Sequence, residues 1–436
     1  MARQPTPRRN GSAPAPSPSR RAWLKGLLAG LAGALGGAAA ARAAERTSAT
    51  GGGSAEAVPE HAPFLPGRPA GAVPYGRPSP FVQGVVRRWL RGMLPSPLSR
   101  SSFTPLAALE GIITPNGLVF ERHHGGAPSI DPARFSLAVH GAVARPMRFS
   151  LDDLKRLPTV SRIHFLECAG NNSLNWKEPA ANAVQFTHGL LSCCEWTGVP
   201  LMEVLRLCGA RRRARWLLAE GADGVAYARS VPRHLWKDAL LVFAQNGEAL
   251  RPEQGFPLRL VVPGTEGSLN VKWLHRLKLG RKPWLTREET ARYADLQGDG
   301  KARLFTLVQE VNSVILRPCP ENPLKRHGRQ RLSGIAWSGH GRISAVEVSF
   351  DGGVNWLPTR LEEPVLPKCL TRFSLPFDWH GEELLLQSRA VDEKGNVQPT
   401  YAEMLKVKSA NQVYHNNAIT TWQVMESGEA RHVRLG

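Results

Sequence analysis

The most chemically suggestive run in this chain is Phe165-Leu166-Glu167-Cys168-Ala169-Gly170-Asn171. A cysteine that closes an apolar strand and enters a Gly/Asn turn puts one thiol at the mouth of a sheet, where turn N–H groups can stabilise a thiolate. Such a thiolate serves as a nucleophile or as a ligand for a soft metal, whereas a lone cysteine after a strand is more often a small buried hydrophobe. Its company shifts the balance. Phe120-Glu121-Arg122-His123-His124 lies upstream, and Ala222 to Tyr227, Gly255 to Arg259, Val262-Pro263-Gly264 and Asn270-Val271-Lys272-Trp273 follow. Arginine, histidine and lysine arriving from separate segments suit a ligand bearing phosphate, because guanidinium and ammonium groups bind its oxygens through charge-assisted hydrogen bonds.

The elements that must position these groups fall into two patterns. From about residue 104 to 290, apolar runs alternate with helical ones: strands at Phe135 to Val139, Ile163 to Leu166, Trp216 to Ala219 and Leu258 to Val262, with helices at Leu151 to Leu157, begun by a Ser150 cap, and Leu201 to Leu207. This predicts an α+β domain. The charged stretch Trp284 to Leu304 reads as the junction. From 303 to 425 the pattern is strands only. Val346, Val348 and Phe350 alternate with polar residues before the Asp351-Gly352-Gly353 turn and a return strand opened by Trp356, and Gly334 to Trp337 and Leu384 to Val391 are further strands. That spacing predicts an immunoglobulin-like sandwich.

With 436 residues and 42% hydrophobic content the chain is a folded protein of two or three domains. Its formal charge of +20 points to an anionic partner or ligand. Seven of the positive charges lie in residues 1–43, which hold no Asp or Glu. There Ser19-Arg20-Arg21-Ala22-Trp23-Leu24-Lys25 matches a twin-arginine consensus, a run of Ala, Gly and Leu too short to span a bilayer follows, and Ala41-Arg42-Ala43 is a cleavage site. Export of a folded, cofactor-loaded enzyme to the periplasm is therefore expected, with no membrane span in a mature chain of charge +13. Residues 44–103, dense in Gly, Pro, Ser and Ala, read as an arm or linker with a helix near Val82 to Met93. Arg211-Arg212-Arg213 reads as solvated surface, not as a nucleic-acid patch.

Six cysteines without a C-x-x-C pair exclude a zinc ribbon or disulfide scaffold, and the absence of C-x-x-C-H means no c-type haem in this chain. Cys194 and Cys208 read as core, and Cys319 and Cys369 as candidates to pair within the sandwich.

From Thr104 to Val424 the chain resembles the sulfite oxidase family of molybdenum enzymes. The resemblance rests on Cys168-Ala169-Gly170-Asn171, the Phe120 to His124 segment, Arg259 to Gly264, Val271-Lys272-Trp273, Ala336 to Gly339 and Val348 to Trp356. It implies a sulfite-oxidase-type molybdopterin-binding domain at 104–290, followed by an immunoglobulin-like dimerisation domain at 303–425. It further implies Cys168 as the metal ligand, and Phe120, Arg122, His123, His124, Asp223, Arg259, Asn270, Val271 and Lys272 as cofactor-binding residues. Ser192 or Cys193, in a run ending at Trp196, would touch the pterin. Tyr227 would stand beside the metal to position or donate a proton, and Arg122 would also hold an anionic sulfur-oxygen group. Three positions depart from the family: Ser173 replaces a pocket arginine, Phe186 a pocket tryptophan, and His123 the asparagine of F-x-R-N-H.

Within the family, Leu109 to Gly117, the double histidine, Val365 to Lys368 and Tyr414-His415-Asn416-Asn417-Ala418-Ile419 are most similar to the molybdenum subunits of Sox-type sulfane dehydrogenases. That similarity implies oxidation of sulfane sulfur on a carrier-protein cysteine, by oxo transfer at a Cys-ligated molybdenum. Electrons would leave to a c-type cytochrome, and the chain would form a homodimer through its C-terminal domain. The alternatives are a free-sulfite dehydrogenase, a sulfoxide reductase of the same fold, against which the second domain speaks, and a binding protein that has lost the metal, against which Cys168 speaks.

Overall fold

The computed structural model describes residues 75–89, 98–179 and 181–435, and the compact unit that concerns the site begins at Pro78. The twin-arginine segment and most of the 44–103 arm lie outside the described residues. Strands carry the fold, and among the described residues the longest helix is the seven-residue Leu201–Leu207.

Two five-stranded sheets build the first domain. One pairs Val160–Glu167 with Leu191–Pro200 and that strand with Leu240–Gln245, and Glu248–Ala249 and Arg259–Val261 both pair with Leu240–Gln245. The other runs Met147–Phe149, Leu137–Gly141, Leu274–Gly280, Trp216–Gly221, Ala228–Pro232, with one parallel pair between Leu137–Gly141 and Leu274–Gly280. Strand alternation sends Leu137, Val139, Leu217, Ala219 and Leu277 inward, where they meet Leu241 and Leu260 in one core. The expected strands are present with slightly different ends. The Ser150 cap is real: its Oγ accepts from Asp153 N–H at 3.1 Å while Asp153 Oδ2 accepts from Ser150 N–H at 3.0 Å, starting a helix that stops at Lys155.

The second domain is the expected sandwich. A four-stranded sheet, Asn312–Arg317, Gly328–Trp337, Thr371–Trp379 and Arg360–Glu362, faces a five-stranded one led by Ile343–Ser349 and Leu384–Asp392. Trp337, Phe373, Val348, Leu386 and Trp422 are fully buried between them. The two domains share packing: Phe165 and Cys193 of the first enter the sandwich core. Two motif glycines explain themselves at the same boundary. A Cβ on Gly264 would lie 2.5 Å from the Gly339 carbonyl oxygen, and one on Gly339 would lie 2.0 Å from that of Gly264, so the Val262-Pro263-Gly264 and Ala336 to Gly339 runs meet backbone to backbone.

Two expectations are corrected. The described part of the expected Val82 to Met93 helix is not helical: a 3-10 turn at Pro80–Val82 is followed by the strand Arg88–Trp89, which pairs with Arg100–Phe103, and Leu90 to Met93 lie outside the described residues. A short apolar run does not distinguish the two by periodicity. Cys319 does not face Cys369: its Sγ turns to the Leu316 carbonyl at 3.0 Å, while Cys369 Sγ lies 3.5 Å from Cys193 Sγ, both as free thiols. The charged stretch Trp284 to Leu304 is packed into the protein, with Glu288, Glu289 and Asp295 buried. Glu289 receives Ser230 N–H, and Asp295 faces His415.

Candidate functional site

Cys168 leaves the Val160–Glu167 strand into a tight loop. Asn171 N–H closes on the Cys168 carbonyl at 2.9 Å, Asn172 takes the left-handed region at φ 57°, and Gly170 N–H points at Cys168 Sγ at 3.4 Å. Gly267 packs so closely that a Cβ would stand 2.9 Å from the Glu167 carbonyl oxygen. Glu167 is clamped from both sides, its Oε1 accepting from Asn171 Nδ2 and its Oε2 from Trp337 Nε1, each at 2.9 Å. Burial pushes this carboxyl up to about 7 against the pull of those two donors. The chain's tail then returns beneath the loop: His415 N–H donates to the Ala169 carbonyl at 2.8 Å and Asn416 Nδ2 to that of Asn172 at 3.3 Å.

Beside Cys168 opens a narrow cleft of about 70 Å³. The structure brings Phe120, Arg122, His123, His124, Asp223 and Tyr227 to its wall, and from the far segments Arg259, Asn270, Val271 and Lys272. Ser192 and Cys193 are not on that wall. Ser192 Oγ accepts from Phe120 N–H at 3.1 Å and shares a 2.8 Å hydrogen bond with Thr104 Oγ1, so it braces the Phe120 segment from behind. Cys193 faces Cys369 at the domain boundary.

The wall is cationic. Arg259 is buried with no carboxylate partner among the described residues; its Nη atoms donate to the carbonyls of Gln254 (2.9 Å) and Asn270 (3.2 Å), its plane covers Trp196, and Nε has no partner. Burial pulls this guanidinium down to about 10. Lys272 Nζ donates to the carbonyls of Glu253 (2.9 Å) and Arg122 (3.2 Å); burial and then Arg259 bring it down to about 7. His124 is held neutral, pulled to about 3 by burial and by Arg122 and Arg292, whose Nη atoms approach its Nδ1 at 3.1 and 2.9 Å. The one carboxylate on the wall, Asp223, is occupied in shaping its own turn by accepting Tyr227 N–H at 2.8 Å. Asn270 is likewise scaffolding: Oδ1 accepts from Val262 N–H at 2.8 Å and Nδ2 donates to the Glu266 carbonyl at 3.0 Å.

Four wall residues, Gln254, Gly267, Ser268 and Tyr293, escaped the sequence reading, and Trp273 was read only as part of its motif. Tyr293 comes from the charged stretch assigned to a junction, Gln254 reaches the Phe120 carbonyl at 3.0 Å, and Trp273, held at φ 54°, bonds the Pro252 carbonyl at 2.8 Å while Lys272 lies over its ring. The signal for Tyr293 was its setting, since Glu288 and Glu289 beside it are inside the protein. Burial drives the phenols of Tyr227 and Tyr293 above their ordinary values, so both stay protonated donors. Behind them Arg229 pairs with Glu266 at 2.6 Å, and Glu266 with His415 at 3.5 Å. Ser173 sits in the 3-10 turn Ser173–Asn175, off the wall, and Phe186 packs edge-on against Phe103 at 5.5 Å.

These features fit a molybdopterin. Among the described residues no three His, Cys, Asp or Glu side chains group to hold a metal. A buried guanidinium with an unused N–H and a half-buried ammonium without a carboxylate partner among the described residues call for an anion.

Comparison with known proteins agrees. Residues 124–287 match the oxidoreductase molybdopterin binding domain and residues 304–422 the Mo-co oxidoreductase dimerisation domain. The mitochondrial sulfite oxidase of Mus musculus is 32% identical over 324 residues, 68% of this chain and 59% of the relative. An NADH nitrate reductase of Solanum lycopersicum is 30% identical over 69% of this chain and 38% of the relative. The chain thus spans under two thirds of these curated relatives. A chain in the crystal structure of the sulfane dehydrogenase SoxCD from Paracoccus pantotrophus is 45% identical, with a TM-score of 0.84 over 86% of this chain and 97% of that one. The chain belongs to the sulfite oxidase family of molybdopterin-binding oxidoreductases.

Proposed function

We propose that this chain is the molybdenum-bearing subunit of a periplasmic sulfane dehydrogenase, oxidising sulfane sulfur carried on a protein cysteine and passing electrons to a c-type cytochrome. The observation that carries the reading is the tail segment Tyr414 to Asn417, which lies directly against the Cys168 loop through Ala169 and Asn172. The resemblance to sulfane dehydrogenase subunits rests in part on that segment, and the structural relative at 45% identity points the same way. The twin-arginine segment in residues 1–43 supports export, and the 304–422 match supports a homodimer.

The bound cofactor would supply a centre that takes two electrons from sulfur. The chain's own residues do the rest. Cys168 would ligate the metal through its thiolate, and a bound cation offsets the burial that otherwise raises this thiol. Arg259, Lys272 and Arg122 would hold the anionic pterin, with Phe120, His123, Asp223, Asn270 and Val271 shaping its bed. His124, neutral between two guanidiniums, orients Arg122 without adding charge. The protonated phenols of Tyr227 and Tyr293 would donate hydrogen bonds to an oxyanion on the substrate.

The test is steady-state reduction of a c-type cytochrome with two substrates, free sulfite and a carrier-bound persulfide. The persulfide should give a kcat/KM about tenfold or more above that of sulfite. Rapid turnover of sulfite with none of the persulfide would make this a free-sulfite dehydrogenase.

A further inference from the structure

We infer that the outer face of the second sheet of the molybdopterin domain, with the loops at its far end, is a docking surface for an acidic protein. On that face the cross-strand row Arg148, Ala138, Arg276, Glu220 is followed by His140 beside Lys278. The alternate residues Leu137, Val139, Leu277 and Ala219 fill the core. Glu220 is the one carboxylate in these rows, and it is taken by Arg276 and His275.

At the far end four segments are stitched together by their backbones. Arg211 N–H donates to the Ala142 carbonyl at 2.9 Å, Arg215 N–H to that of Gly280 at 2.8 Å and Arg233 N–H to that of Arg215 at 2.9 Å. This collects Arg145, Arg211, Arg212, Arg213, Arg215 and Arg233, with Arg281 and Lys282 following Gly280, and all eight are exposed. Residues 141–150, 209–216, 231–237 and 280–282 contain no Asp or Glu, and among the described residues none of the eight joins an ion pair. So dense a cluster of like charge costs self-repulsion that a complementary surface relieves.

The cluster is also pre-arranged. Arg145 Nη2 bonds the Leu207 carbonyl at 2.8 Å, Arg211 Nε that of Val143 at 3.1 Å and Arg233 Nη1 that of Ala214 at 2.9 Å. Guanidiniums fixed by their own backbone present the remaining N–H groups to carboxylates with less entropy to lose. Among the described residues these four segments expose no large apolar side chain, the component a membrane-surface binder adds to its cations. The Leu274–Gly280 strand begins beside Lys272 and Trp273 of the cleft and ends at the cluster about 20 Å away, so a seated partner need not fill the cleft.

The inference stands apart from the sulfur chemistry and is tested without turnover. Calorimetric binding of poly-L-glutamate of about twenty residues to the full chain should be salt-sensitive, and the triple variant Arg212→Glu, Arg213→Glu, Arg281→Glu should weaken it about tenfold. The triple variant Arg303→Glu, Lys325→Glu, Arg326→Glu, outside this face, should weaken it about twofold or less. Should charge reversal unfold the protein, the same positions changed to alanine give the same ranking at smaller size. Equal weakening by both sets, no weakening by the first, or tighter binding to vesicles with about 20% phosphatidylglycerol than to the peptide would each overturn the assignment.

Discussion

The indole N–H of Trp337, in the sandwich, donates to Oε2 of Glu167, the residue before the candidate metal ligand, at 2.9 Å. The second domain therefore takes part in holding the site: its strand end fixes the carboxylate that fixes the Cys168 turn. Trp337→Phe removes the donor, leaving a buried carboxylate oxygen unsatisfied, and also trims a fully buried ring. A loss of about 1–3 kcal/mol is expected, read as a lower Tm, and an unchanged Tm would mean that the bond carries no stability.

Arg259 is the buried cation with an unused N–H in the cleft. Arg259→Met fills the same volume without the charge, so the folded variant should retain about tenfold less molybdenum per chain than the wild type, measured by elemental analysis. Native metal content in that variant would place the anion elsewhere.

His415 lies between Asp295 Oδ2 at 2.9 Å and Glu266 Oε2 at 3.5 Å. Burial opposes its charge, but the two carboxylates raise it to about 9. A raised folded value means that stability is fully present below the ordinary value of about 6.5 and is lost as pH climbs through 9. On the order of 3 kcal/mol should disappear across that window in the wild type and not in His415→Gln. Parallel pH–Tm curves for the two proteins would contradict this.

Five of the six cysteines are buried, all are free, and only Cys168 is partly open. A thiol reagent applied to the native, metal-free protein should label Cys168 alone, with Cys193 and Cys369 reacting only after denaturation, as peptide mapping would show.

Much of this was legible in the sequence because it was written in local chemistry. A cysteine ending an apolar run, glycines where backbones touch, and cations clustered by motif all require particular residues at particular spacings, and the strand alternation around Val346 and Leu137 states which face is core. What escaped was non-local. That Glu289 and Asp295 are buried depends on Ser230 and His415, which lie about 60 and 120 residues from their partners. Tyr293 was hidden for the same reason, and nothing in the spacing of Cys193 and Cys369, 176 residues apart, announces that they face each other. Ser192 illustrates the converse: it lies in a motif run yet serves the site from behind, through Phe120.

The central claim is that sulfur is oxidised at a molybdenum held by Cys168, and the direct measurement is cytochrome reduction by Cys168→Ser compared with the wild type under identical loading. A folded variant with the wild-type Tm should lose about a hundredfold or more of its turnover. Full turnover with serine at position 168 would contradict the account.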